Sequence, residues 1–130
     1  MRDISKNLLA TISIDPQTIS SDTTTNGTGV DVRDYDGAMV VFQSNDAITD
    51  GAFALKLQES DDDSTYTDVD SSEQIRTLSN FSSSAEGIQQ VGYVGNKRYL
   101  RPVITTTSTS SGGIVSAHVT RGLPHRAPTS

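Results

Sequence analysis

Cysteine and tryptophan are absent from this 130-residue chain, and three Phe and four Tyr are its whole aromatic complement. Without cysteine there is no disulfide framework and no thiolate metal site, and redox compartment leaves no mark on the sequence. With so few rings, a sugar-stacking cleft for glycosidase chemistry is poorly furnished. Apolar residues make up only 33% of the chain, so any core is thin. No apolar run approaches the roughly 20 residues of a membrane-spanning helix, and no membrane partner is expected. The opening residues, Met1-Arg2-Asp3-Ile4-Ser5-Lys6, lack the long apolar segment of a signal peptide, so synthesis in the cytoplasm is expected.

Acidic residues are missing from the last third. None follows Glu86, whereas Lys97, Arg98, Arg101, Arg121 and Arg126 all do, in a chain of net charge −6. Either these are solvated strand faces with a basic tail, or the basic third docks on an acidic surface. The negative balance and the lack of basic residues interleaved with aromatics argue against nucleic acid as a partner.

What is present has period two. Leu8, Ala10, Ile12 and Ile14 share one face of a half-buried strand, with Leu9, Thr11 and Ser13 opposite and Asp15-Pro16 as its stop. Thr18 to Gly29 is nearly all Ser, Thr, Asn, Asp and Gly, which predicts a loop or flexible arm. Val30 and Val32 alternate with Asp31 and Arg33 in a short strand. Ala38-Met39-Val40-Val41-Phe42 is continuous and apolar, suiting a strand buried on both faces. Phe53, Leu55 and Leu57 alternate cleanly with Ala54, Lys56 and Gln58, and Tyr66–Val69 returns from an acidic tip to close a hairpin. One helical turn fits within 71–78, and 79–86 reads as a polar loop. Val115, Ala117 and Val119 face inward, opposite Ser116, His118 and Thr120.

Between these lies the most patterned stretch, Val91 to Ile104. Two apolar runs flank Gly95-Asn96, a two-residue signal for a II′ hairpin turn that needs positive φ at the glycine. Pro102 cannot donate to a ladder, so its strand is expected at an edge or with a bulge. The chain therefore reads as all-β, a single antiparallel β-sandwich or jelly-roll-like domain of about eight short strands with extended polar termini. Its expected parts are an N-terminal arm, 1–7, the sandwich, 8–121, and a C-terminal tail, 122–130.

Chemistry is argued mostly from missing partners. Neither His118 nor His125 has a nucleophile at motif spacing, and there is no Gly-x-Ser-x-Gly elbow. The Asp61-Asp62-Asp63 run fails as an EF-hand loop, because the sixth and twelfth positions hold Tyr66 and Ser72. A solvated acidic tip and a calcium loop of another kind both stay open there. No enzyme activity and no cofactor are expected.

Leu57-Gln58-Glu59-Ser60-Asp61-Asp62, Tyr66-Thr67-Asp68-Val69 and Val91-Gly92-Tyr93-Val94-Gly95-Asn96-Lys97-Arg98-Tyr99-Leu100-Arg101 resemble a family of small tailed-bacteriophage virion proteins of the head decoration, or cement, type. The resemblance implies a virion protein on the capsid exterior that binds the major capsid protein, bridges neighbouring subunits and forms a homo-oligomer, a dimer or trimer. Lys97, Arg98, Tyr99 and Arg101 are then the candidate interface, with Gly95 and Asn96 as the structural turn. Arg2, Lys6, Arg121, His125 and Arg126 become candidate docking residues on the terminal arms. A head–tail connector or tail component, and a carbohydrate- or receptor-binding sandwich, remain as alternatives.

Overall fold

The alternating stretches become two antiparallel sheets in the computed structural model, which describes residues 2–44, 48–82 and 87–125. The strands are β1 (Leu8–Ile19), β2 (Thr24–Asn26), β3 (Val30–Asp31), β4 (Tyr35–Ser44), β5 (Ala52–Ser60), β6 (Thr67–Asp68), β7 (Gln74–Ile75), β8 (Ile88–Tyr93), β9 (Tyr99–Thr107) and β10 (Gly113–Pro124). The first sheet runs β1-β10-β4-β8-β7; the second runs β2-β9-β5-β6, with β3 also on β9. This is the expected all-β sandwich, with ten strands where the sequence suggests about eight. The surplus is strands of two or three residues, too short to show a period. Among the described residues there is no α-helix, only a 3₁₀ turn at Ser71–Glu73 capped by Asp70.

Alternation delivers one face of each sheet to the core. Phe53 and Leu57 of β5, Val40 and Phe42 of β4, and Val115, Ala117 and Val119 of β10 are all but inaccessible to solvent. The apolar run 38–42 forms the middle of the first sheet, but where it suited a strand covered on both faces, Val40 and Phe42 pack in the core while Met39 and Val41 face the sheet's outer side. Phe81 sits in the segment read as a polar loop, yet it is fully buried, and its backbone exchanges two hydrogen bonds with Phe53. One aromatic among serines gives no periodic signal. Burying it still contributes about 1.5–3 kcal/mol.

Four local expectations need correcting. Leu8, Ala10 and Ile12 face outward, Ile12 remaining 60% exposed, while Ser13 and Ile14 are both buried. Register shifts against β10 between Ile12 and Ile14, and again between Ile14 and Gln17, reverse the alternation. Asp15-Pro16 therefore marks an irregularity in an edge strand that continues to Ile19, not its end. The Ser/Thr stretch is not a loose arm: Thr24–Asn26 pairs with β9, and Thr106 Oγ1 accepts from Thr23 N–H and donates to Ser21 O. Hydroxyls do there what apolar side chains do elsewhere.

The remaining two corrections concern Val91 to Ile104 and the C-terminus. β8 and β9 do not form a hairpin, because they belong to different sheets and 94–98 crosses between them. Positive φ among the described glycines falls at Gly51, Gly87 and Gly112, so Gly95 and Asn96 do not make a II′ turn. Gly95 instead lies against the Tyr93 ring. Pro102 sits inside the second sheet, opposite Leu57 of β5, at the gap between β2 and β3 on its other side; its carbonyl accepts from Gly27 N–H. A missing donor costs nothing at a gap. β10 continues past Arg121 to Pro124, with Gly122 opposite Gly37 and Pro124 opposite Tyr35.

Candidate interaction surfaces

The basic cluster is assembled where the 94–98 crossover meets the second sheet. Lys97 Nζ lies 2.8 Å from Asp61 Oδ2, which raises the lysine pKa, and its backbone N–H donates to the Tyr93 hydroxyl at 3.0 Å. Arg98 donates through Nε and Nη2 to Asp31 Oδ2 at 3.2 and 2.9 Å and lies over the Tyr99 ring. That guanidinium holds the Asp31 carboxyl below the usual carboxylate range. Arg101 donates twice to Gln58 Oε1, at 3.0 and 2.7 Å, with its guanidinium 3.9 Å from the centre of the Tyr66 ring. Tyr99 is half-buried, opposite Ser60 and Asp31.

All three cations thus have partners within their own domain. The acidic partners come from 36 and 67 residues away, and Arg101 takes the Gln58 amide oxygen. An open cleft of about 260 Å³ lies beside the crossover, with Arg33, Asp36, Asp61, Tyr93, Lys97 and Arg98 on its walls. Its charges are mixed and solvent-screened; the Lys97–Asp61 pair fastens loop to loop, and the Arg98–Asp31 pair fastens loop to strand.

Two groups the sequence did not single out sit beneath this cluster. Glu59 is 9% exposed, and its carboxylate accepts from the Tyr93 hydroxyl at 2.5 Å. Burial, followed by that carboxylate, raises the Tyr93 pKa above the ordinary phenol value. Their signal was indirect: Glu59 continues the inward positions Phe53, Leu55 and Leu57.

The candidate docking residues divide. Arg2 and Lys6 are exposed ahead of β1. Arg121 is turned to structure: Nη1 donates to Asp31 O at 3.0 Å, Nη2 donates to Thr11 Oγ1 at 2.7 Å, and the group lies over Tyr35. His125 Nε2 is 2.8 Å from Asp36 Oδ1, and its backbone N–H donates to Asp34 O. Arg126 and the rest of the tail lie outside the described residues. The acidic tip is organised by itself: Asp62 accepts from Ser64 N–H and Thr65 N–H, and Tyr66 bonds Asp63. Among the described residues, no three His, Asp or Glu side chains are grouped to hold a metal.

A different surface stands out on the outer face of the first sheet. Residues directly opposed in a ladder share a face, so the register shows which side chains lie there. β1 contributes Leu8, Ala10 and Ile12, opposite Gly122, Thr120 and His118 of β10. β4 adds Met39, Val41 and Gln43, opposite Thr120, His118 and Ser116. β8 and β7 complete it with Ile88, Gln90 and Ile75. No Asp, Glu, Lys or Arg is among these positions, and Leu8, Ile12, Ile75 and Ile88 are exposed. The outer face of the second sheet is the opposite in character, with Lys56, Gln58, Asp68 and Arg101 joined in hydrogen bonds and ion pairs.

No family model and no curated protein matches this chain. Among solved structures it is similar to the PBSX exported protein XepA, with a TM-score of 0.63 at 15% identity over 97% of this chain. The chain spans 40% of that protein's length, and at this identity the likeness is one of fold.

Proposed function

We propose that this is a non-enzymatic structural protein of a bacteriophage particle, of the head decoration type, which binds the outside of the capsid and bridges neighbouring subunits of the major capsid protein. The observation that carries the reading is the uncharged outer face of the first sheet. A chain of net charge −6 that keeps one sheet face free of ionised groups has a surface suited to adhesion to protein. The resemblance of the 57–62, 66–69 and 91–101 segments to decoration proteins supports the same reading, as does a fold shared with a PBSX phage protein. Such a protein works by mass action: whatever it buries against the shell stabilises the assembled particle. The test is localisation by electron microscopy of purified particles, with rebinding of the protein to particles lacking it. Density over the capsomers and saturable rebinding are expected; a particle without the protein overturns the reading.

A second reading follows from the structural neighbour, which is an exported protein. Here the chain is a phage-associated protein released with the lysate and not held on the head. Fractionating a lysate separates the two, because a decoration protein sediments with particles and a released one stays in the supernatant.

A further inference from the structure

We infer that the open edge of β8, from Ile88 to Val91, is a binding site for an extended peptide segment of another protein, which adds to the first sheet as a strand in line with β7. This goes beyond the reading of the protein as a capsid component and does not rest on it.

In an antiparallel ladder the backbone groups of successive residues face opposite neighbours. β8 is paired with β4 without a register break from Ile88 to Tyr93. Gly87 O accepts from Ser44 N–H on the β4 side, whereas Val94 N–H donates to Glu73 O on the β7 side. Gln89 and Val91 therefore present N–H and C=O to β4, while Ile88, Gln90 and Gly92 present theirs to the opposite edge. β7 covers that edge only opposite Gly92 and Tyr93, because the chain turns away at Arg76, whose φ of 81° is a left-handed conformation that a side chain makes costly. Ile88 and Gln90 are left with N–H and C=O facing outward, and among the described residues none of these groups has a hydrogen-bond partner.

The other edges of the sandwich are blunted in the ways that keep natural sheets from pairing further. β1 carries Pro16 and two register shifts. On the second sheet, β2, β3 and β6 are three, two and two residues long, and β5 beyond β6 is crossed at Phe53 by the Phe81 backbone. Ile88-Gln89-Gln90-Val91 has no charge, no proline and no bulge, and Ile88 is 62% exposed. Donors and acceptors repeating every second residue, about 6.8 Å apart, are complementary to another extended backbone, which selects the occupant. Side chains of the added strand opposite Ile88 and Gln90 join the uncharged outer face beside Ile75, so an uncharged segment with apolar residues at alternate positions fits it.

The test is titration of isotope-labelled protein with the peptide acetyl-Thr-Ile-Thr-Ile-Thr-amide, followed by NMR and amide hydrogen exchange. In the free protein the Ile88 and Gln90 amides should exchange at least about tenfold faster than those of Gln89 and Val91, which are bonded to β4. The peptide should shift the Ile88 and Gln90 amide signals saturably and slow their exchange, and a fully N-methylated peptide should do neither. Gln90→Pro removes an outward donor and no ladder bond to β4, so it should keep the sheet, as its melting curve will show, and weaken the peptide about tenfold or more. Edge amides already protected in the dilute free protein overturn the inference. So does a peptide that moves neither signal up to millimolar concentration, that binds equally when N-methylated, or that binds folded Gln90→Pro undiminished. Protection that grows with protein concentration in the absence of peptide puts a second copy on the edge and overturns the assignment to another protein.

Discussion

A methyl group at Gly95 has no room. An added Cβ would lie 2.6 Å from Cε1 and Cζ of Tyr93, and that ring is held by Glu59 on one side and the Lys97 backbone on the other. Glycine is required here by close approach, not by a left-handed turn. Gly95→Ala should therefore lower stability in urea unfolding by about 1–3 kcal/mol, the usual cost of overpacking. The cost should shrink sharply in a Tyr93→Leu background. A penalty that persists without the ring would place the strain in the backbone. Tyr93→Phe leaves the ring and removes the hydroxyl that serves the buried Glu59 carboxylate, and should cost about 1.5–3 kcal/mol by the same measurement.

Asp50 provides a second residue-scale prediction, and its sign follows from its partners. Its carboxylate accepts from the backbone N–H groups of Ser110, Ser111 and Gly112 and from the Ser110 hydroxyl. Together these hold its pKa well below the ordinary carboxylate range, the Ser110 hydroxyl most of all. A folded-state pKa below the unfolded one gives stability that is complete above the unfolded value, near 4, and is lost as pH falls through the folded value. Asp50→Ala should therefore melt below wild type at neutral pH, and the gap should close on acidification from about pH 4 downward. A gap that is constant with pH would mean that the carboxylate's charge plays no part.

At the scale of elements, the sandwich is tied by side chains that reach between strands distant in sequence. Arg121 of β10 bonds Thr11 of β1 and the Asp31 carbonyl of β3, linking both sheets with one partly buried guanidinium. Arg121→Ala should cost about 1.5–3 kcal/mol, from lost charged hydrogen bonds and lost stem packing. Arg98→Ala, which breaks a solvent-screened pair 38% exposed on each side, should cost clearly less. Chemical denaturation of the two variants checks the order; the reverse would make the crossover, not β10, the element that ties the sheets. The same contrast explains what could be read from sequence. β5 and β10 alternate cleanly because one face meets the core and the other meets water. β1 has aliphatic side chains on the wrong face, and a period of two cannot say which face is inside once a bulge intervenes. The Gly-Asn pair between apolar runs was a sound local turn signal, but pairing of the runs is decided by which sheet each joins. Of the candidate interface, Lys97, Arg98 and Arg101 are neighbours already in sequence, while the acidic partners of Lys97 and Arg98, Asp61 and Asp31, are hidden by distance in sequence. The uncharged face was legible only after register placed Ile12, Val41 and Ile88 on one side.

For the molecule as a whole, ionic strength discriminates between the two kinds of surface it carries. A contact made by Lys97, Arg98 and Arg101 with an acidic neighbour weakens as salt screens it, over a Debye length of about 10 Å at 0.1 M. A contact made by the uncharged face has no such attraction to lose. Rebinding of the protein to undecorated particles through that face should therefore hold its affinity from low to moderate ionic strength. Sulfate, which favours burial of apolar surface, should strengthen it further than chloride at equal ionic strength. Co-sedimentation with undecorated particles across a salt series measures the sign directly. An apparent dissociation constant from particles that rises steeply with salt would move attachment to the basic crossover, and the internal pairs of Lys97 and Arg98 would then have to open to make it.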